Sequence, residues 1–274
     1  MTAIISPLVS LPVRHLMRMI KSPQYRLYLW LSSLYGRTGK GVEKRIKAGN
    51  LRLTVPDAQA FLWDYQELFY NEIYKFVADN DTPRIVDCGA NIGLSVLYFK
   101  SLYPKARITA FEADPKIFRY LARNLEANGA HDVEKVAKAV WSEETTLSFS
   151  SQGGDAGRID AGGDGHLVQV PTVALNQILS EETDLLKIDV EGAELEVLKG
   201  AGEALRNCKQ VFVEYHSFGH RKQVLPELLA LMQSHGFRAH ICPEYHAPHP
   251  FVARPLHARM DLRLNMFFIR EQNS

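Results

Sequence analysis

An α/β fold with a mostly parallel sheet is predicted by three observations. Short apolar runs at 84–86, 108–113, 185–190 and 210–216 alternate with segments whose apolar residues recur at helical spacing. The first run ends in the turn Asp87-Cys88-Gly89-Ala90-Asn91-Ile92-Gly93, and the second ends in Phe111-Glu112-Ala113-Asp114. Strands separated by helices of these lengths pair in parallel through right-handed crossovers, and such sheets place their ligands beyond the carboxyl ends of the strands.

The elements follow in order. Gly, Thr and Lys cluster at 36–41 as a linker. Residues 51–55 alternate like a short strand before Pro56, and 58–78 reads as a helix through Phe61, Tyr65, Leu68, Phe69 and Phe76, placed to cover one mouth of a ligand site. After the strand at 84–86, Leu94, Leu97 and Tyr98 share one helix face until Pro104 stops it. Ile117, Leu121 and Leu125 mark the next helix, which ends at Asn128-Gly129. A third strand is expected over 133–141, and a pair at 147–149 and 167–173 flanks a Gly- and Asp-rich loop, 153–165. That loop reads as a surface loop or, carrying Arg158, as a substrate flap. Then come a strand at 185–190, a helix at 195–207, a strand at 210–216 and a helix at 220–235. Strands at 238–242 and 264–269 close the sheet. The expected divisions are a basic apolar arm (1–50), a strand and helix cover (51–82) and a catalytic domain (83–274).

Composition narrows the classes of function. The chain has 274 residues, 46% hydrophobic and 23% charged, enough for one sizeable core plus an appendage. A net charge of +1 provides no global field for nucleic acid, so a small or neutral substrate is expected. Cys88, Cys208 and Cys242 have no C-x-x-C spacing, which argues against a disulfide framework or a zinc site and fits a reducing cytosol. The arm is the exception, with nine Lys or Arg against the single acid Glu43, interleaved with Ile4, Ile5, Leu16, Met17, Leu29, Trp30 and Leu31. Arg14, His15, Arg18, Lys21 and Arg26 keep every apolar run too short to span a bilayer. Neither a signal peptide nor a spanning helix is read there. Packing on the body or on a second copy, and contact with an anionic membrane surface, are both open to such an arm.

The turn and Glu112 carry the ligand prediction. Gly89 lets the backbone turn sharply, so that a helix from near Gly93 aims free N–H groups at an anion. Glu112, one βα unit later, can accept both hydrogen bonds of a ribose diol. D-x-G-x-x-x-G differs from the G-x-G-x-x-G of dinucleotide binders, and S-adenosylmethionine (SAM), anionic through an amino-acid carboxylate, fits better than NAD.

These residues resemble the FkbM family of SAM-dependent methyltransferases. The resemblance rests on Ile85 to Gly93, on Phe111-Glu112-Ala113-Asp114-Pro115 and above all on Leu186-Lys187-Ile188-Asp189-Val190-Glu191-Gly192-Ala193-Glu194, and it spans about residues 60–270. It implies a Rossmann-like class I methyltransferase sheet of seven strands with the last antiparallel. It also implies O-methylation of a hydroxyl on a small molecule, saccharide or glycolipid. Within that frame Asp87, Gly89, Ala90, Asn91 and Gly93 would hold the methionine end, Glu112 the ribose, and Ala139 and Val140 would flank the adenine.

Methyl transfer to a hydroxyl needs a collinear acceptor and a base within about 3 Å of its oxygen. Asp189 is the first choice for contacting the acceptor, with Glu191 and His216 as further catalytic residues. Glu214 and His216 share one strand face, by period two. Each has a plainer reading: Asp189 as a helix cap, Glu191 and Glu194 as favourable charges at a helix N-terminus, His216 as a structural histidine. Asp189, Glu191, Glu214 and His216 also suit a divalent ion, but no metal is expected. His246, His249 and His257 read as loop residues. A SAM-binding scaffold without catalysis and an NAD-linked oxidoreductase are the alternative functions.

Overall fold

The computed structural model describes residues 18–151 and 166–270. The apolar residues up to Met17, and Arg158 with its glycine-rich loop, lie outside the described residues. The chain divides into two compact units, 1–75 and 76–274.

In the first unit, Ser22 caps α1 (Pro23–Tyr35), its Oγ accepting from Tyr25 N at 3.1 Å, with Pro23 pre-set at the first helical position. The hairpin β1 (Lys44–Ala48) and β2 (Leu51–Val55) pairs antiparallel, Ile46 opposite Leu53. The sequence showed only its second strand. Asp57 caps α2 (Ala58–Tyr65) through Gln59 N and Ala60 N. Phe61, Leu62 and Tyr65 are buried with Leu31, Ile46, Leu53 and Val55. The expected 58–78 helix is shorter than its apolar spacing suggested. It passes into a π-helical turn, Gln66–Tyr70, and stops there, because Glu72 takes a left-handed φ of 53°.

The second unit is built on a seven-stranded sheet. Its strands are β3 (Arg84–Cys88), β4 (Arg107–Phe111), β5 (Glu134–Val136), β9 (Thr183–Ile188), β10 (Cys208–Phe218), β11 (Phe237–His246) and β12 (Met260–Arg270). Their spatial order is β11-β12-β10-β9-β3-β4-β5. Every pair is parallel except those of β12, the last strand, which runs antiparallel to both β10 and β11. This is the mixed, Rossmann-like sheet implied by the resemblance. Helices α3 (Leu94–Leu102) and α4 (Pro115–Ala127) connect the strands on one side of β3. On the other side α6 (Glu194–Ala201) and α7 (Leu225–Ser234) follow β9 and β10. The strand order reverses between β3 and β9, and a crevice opens at such a reversal.

The sheet forms because its central strands are apolar on both faces: Val86, Leu186, Ile188 and Val213 are fully buried, with Leu228 and Met232 from α7 packed into the same cluster. Each such aliphatic side chain contributes roughly 1.5–3 kcal/mol. α4 presents Ile117, Leu121 and Leu125 to the core, and Asp114 caps it through Lys116 N and Ile117 N.

Several boundaries differ from expectation. The 133–141 run breaks at Ala137-Lys138. Its first part is edge strand β5, while β6 (Ala139–Trp141) pairs in parallel with β8 (His166–Ala174), itself antiparallel to β7 (Thr146–Ser151), in a separate three-stranded sheet. A short α5 (Leu175–Ile178) precedes β9. The 195–207 helix is α6 followed by a 3-10 turn, Gly202–Asn207, where Gly202 takes φ 51°. The 220–235 helix starts only at Leu225, with Pro226 in its first turn.

Candidate active site

The tips of β3 and β9 are tied together. Asp189 N donates to Cys88 O at 3.0 Å, and a Cβ placed on Gly89 (φ 89°) would lie 1.9 Å from the Asp189 carbonyl oxygen. Gly89 therefore meets two demands at once, a left-handed backbone and a close approach of another strand. Gly93 (φ 88°) opens α3, and a Cβ there would stand 2.8 Å from Leu121 Cδ1. Asn91 between them is also left-handed, φ 47°. Asn124 of α4 steadies the turn by donating to Ile92 O at 2.9 Å.

The N–H groups of the turn ahead of the helix are used within the protein. Gly89 N and Ala90 N both donate to Phe111 O (3.0 and 2.9 Å), and Asn91 N donates to Glu112 Oε2 at 2.9 Å. Glu112 Oε1 accepts from Asp114 N at 2.8 Å. The carboxylate is thus fixed at the tip of β4 by one donor on each oxygen, and each oxygen keeps a lone pair for a further donor. Burial pushes Glu112 up to about 7 despite these two N–H donors. The helix start itself carries no side-chain cap.

Asp87 is held by partners from two other elements. It is fully buried: Ser95 Oγ donates to its Oδ2 at 2.5 Å, and Lys187 Nζ stands 3.0 Å from its Oδ1. Lys187 also donates to Gly89 O at 2.7 Å and lies 3.5 Å from Asp189 Oδ2. Burial works against the ammonium, but Asp87 and Asp189 hold it firmly protonated. Ala139 and Val140 are both buried; Val140 belongs to the apolar cluster that contains Phe111, and Ala139 packs with Val170 beside Ala113.

On the β9–β10 side Glu214 and His216 meet on one strand face, as period-two alternation predicted, and Asp189, Glu191 and Glu194 converge on them. His216 is the hub. Nδ1 stands 2.8 Å from Glu194 Oε1, and Nε2 faces Glu214 Oε1 at 3.4 Å, Glu191 Oε2 at 3.9 Å and Asp189 Oδ1 at 4.0 Å. The side chains of His216 and Glu194 are 1% and 2% exposed, whereas those of Asp189 and Glu191 are 24% and 21% exposed, so only the latter two reach the opening. Glu191 takes φ 54° and Gly192 φ 95°, with Gly192 N donating to Glu194 Oε1 at 2.7 Å. This left-handed pair turns the chain so that Glu191 and Glu194 both point back at His216.

Burial and then the neighbouring Glu214 push Asp189 up to about 6, with Lys187 and His216 opposing. Burial also pushes Glu191 up, to about 7, against the pull of His216. Glu214 resists burial because His216 and Arg263 draw it down to about 2. His216 is raised well above its ordinary value: burial acts against its charge, but Glu191, Glu194 and Glu214 outweigh it. Sequence reading missed Lys187 and Arg263. Lys187 lies two residues from Asp189 on β9, and Arg263 is the β12 partner opposite His216, within 3.5 Å of Glu214 and bonded to Glu244. The first was legible from strand alternation; the second needed the antiparallel register.

A mixed seven-stranded sheet, a glycine turn after its first strand and an acid at the next strand tip define a methyltransferase-type Rossmann domain. The chain belongs to the FkbM methyltransferase family: the family model described as the methyltransferase FkbM domain matches residues 87–239. Methyltransferase sdnD of Sordaria araneosa is 33% identical over 212 residues, covering 63% of this chain and 80% of that protein. The 2-O-methyltransferase NoeI of Sinorhizobium fredii is 31% identical over 156 residues, 48% of this chain and 63% of that protein. The crystal structure of methyltransferase FkbM from Methylobacillus flagellatus KT matches with 17% identity and a TM-score of 0.44, covering 91% of this chain and 59% of that one.

Proposed function

We propose that this chain is a SAM-dependent O-methyltransferase acting on a hydroxyl of a small molecule or saccharide. The observation that carries the reading is Glu112, held at the β4 tip by two backbone N–H groups with a lone pair left on each oxygen, one βα unit after an uncapped helix start. That arrangement suits a ribose diol at one end and an amino-acid carboxylate at the other. SAM supplies an electrophilic methyl group on a sulfonium.

The chain's own residues do the rest. Glu112 accepts from the ribose hydroxyls, and the start of α3 meets the carboxylate. Ala139 and Val140, with buried side chains, leave the β6 backbone to border the adenine. Asp87 acts through Lys187, which secures the Gly89 carbonyl. Asp189, at the opening, holds the acceptor oxygen in line with the methyl group, and Glu191 beside it takes the hydroxyl proton. With SAM in place, transfer would form the oxygen–carbon bond as the carbon–sulfur bond broke, the electron pair staying on sulfur and the proton passing to Glu191. His216, oriented by Glu194, positions both acids. A cavity of ≈140 Å³ next to His216 is lined by Phe218 and Arg221 among others, the guanidinium standing 5.4 Å over the Phe218 ring. NoeI is named a 2-O-methyltransferase, which supports oxygen as the acceptor.

The test is transfer from labelled SAM to a panel of sugars and hydroxylated small molecules, alongside calorimetry with SAM, its demethylated product and NAD. Asp189→Asn should keep SAM binding and lower turnover by about 10²-fold or more. Binding of NAD without SAM, or full turnover by that variant, would overturn the assignment.

A further inference from the structure

Asp189, Glu214 and His216 each offer one ligand atom within 4.8 Å of the others. A cation with ligands at about 2.1–2.2 Å spans nearly that distance, so side-chain shifts of a few tenths of an ångström would close the shell. Acidic clusters are common, and this one alone would say little. The second observation is His216 Nε2. It is a buried nitrogen that makes no hydrogen bond and points into the three carboxylates of Asp189, Glu191 and Glu214. Its other nitrogen is held by the buried carboxylate of Glu194. A metal-binding imidazole has this same arrangement: a carboxylate fixes the Nδ1 proton and leaves Nε2 to the ion.

The local charge agrees. Lys187 is matched by Asp87 and Arg263 by Glu244, which leaves Asp189, Glu191, Glu194 and Glu214 around one imidazole. No thiolate lies among these groups, and a set of carboxylates with a single imidazole suits a hard or borderline divalent ion such as Mg²⁺ or Mn²⁺. We propose that Asp189, Glu214 and His216 bind one divalent cation at the crevice, with Glu194 orienting the imidazole. In the methyl-transfer reading, on which this role rests, the cation lies between Asp189 and the acceptor oxygen. It lowers the hydroxyl pKa and favours acceptors with a second oxygen nearby, such as a vicinal diol or a hydroxy acid. Glu191 remains free of the ion to take the proton.

The experiment strips the full chain with EDTA and titrates it with Mn²⁺, following the electron paramagnetic resonance of the free ion, while SAM binding is measured on the same sample. Binding of about one Mn²⁺ per chain near or below about 100 μM, weakened at least about tenfold in Glu214→Gln, is expected. A nitrogen coupling from one imidazole should appear in the pulsed spectrum of the wild-type protein, which keeps the test alive if the variant folds poorly. Less than about a tenth of an equivalent bound, or a bound ion without imidazole coupling, would overturn the cation site. In that outcome intact SAM binding leaves the methyltransferase reading in place. One Mn²⁺ with imidazole coupling but no SAM binding supports the cation site and sinks the other.

Discussion

The two lips of the crevice are made in opposite ways. On the β3–β4 side the backbone sets the geometry: three left-handed residues, two N–H groups on one carbonyl, and a glutamate fixed by two more. On the β9–β10 side side chains set it, four carboxylates around an imidazole whose inner nitrogen makes no hydrogen bond. The first lip is largely satisfied within the protein, which suits a ligand of fixed shape. The second is crowded with like charge and suits the handling of protons and cations. The proposed function divides binding and chemistry between the halves, which meet at Gly89, Lys187 and the Asp189 backbone.

Breaking the shared point should have the largest effect. Lys187→Met leaves Asp87 buried without its cation, and loss of one partner of a buried pair costs about 3–5 kcal/mol. A lower urea midpoint would show it. Adding Asp87→Asn to that variant should recover part of the loss, because the orphaned charge is removed with its partner. A double variant no more stable than Lys187→Met would mean that the lysine acts mainly through the Gly89 carbonyl.

Next comes Gly89→Ala. The new methyl would meet the Asp189 carbonyl 1.9 Å away at a φ of 89°, so backbone must move. A loss of about 3 kcal/mol is expected, lowering Tm by about 6–12 °C for a domain of this size. Gly129, also left-handed (φ 73°) but with open space around its Cβ position, gives the control: Gly129→Ala should cost only about 1 kcal/mol. Equal losses at both sites would show that the close approach of the two lips is not what Gly89 serves.

How legible each lip was follows from the same division. D-x-G-x-x-x-G and Glu112 could be found in the chain because backbone conformation and the length of one βα unit are local properties. The antiparallel last strand, by contrast, was named only through family resemblance, since no local pattern states strand direction. At the second lip Asp189, Glu191 and His216 were visible as residues at strand tips. Their grouping was not, because Glu194 reaches His216 across a left-handed turn at Glu191-Gly192 and Arg263 arrives from β12. Asp87 was seen without its partner for a related reason. Its partner Lys187 lies a hundred residues away in sequence, and only the pairing of β3 with β9 reveals that the carboxylate faces inward. The 58–78 helix was over-read because apolar spacing continued past the point where Glu72 leaves helical geometry.

Separating binding from chemistry is the task of Glu112→Ala. It removes the carboxylate that would receive the ribose and leaves every group of the second lip in place. Hydrogen bonds to a charged acceptor contribute about 1.5–3 kcal/mol, so the SAM Kd should rise about 10- to 150-fold, measured by calorimetry. Unchanged affinity would detach Glu112 from the cofactor and with it the reading of the first lip.

The smallest effect is a pH dependence confined to that lip. Burial raises Glu112 from 4.5 in a solvated chain to about 7 in the fold. A raised carboxyl pKa favours the folded state most below 4.5, and this contribution is lost as pH climbs through 7. Ligand binding runs the other way, because ribose hydroxyls donate best to the ionised carboxylate. SAM affinity should therefore fall as pH drops through 7, by roughly tenfold between pH 8 and pH 6. Proton release on binding near pH 7 would appear as a dependence of the calorimetric heat on the buffer's ionisation enthalpy. Glu112→Ala should flatten both. If its pH profile kept the wild-type slope, the titrating group would have to lie on the β9–β10 lip, where Asp189 and Glu191 are raised as well, and the separation between a binding half and a proton-handling half would fail at its most measurable point.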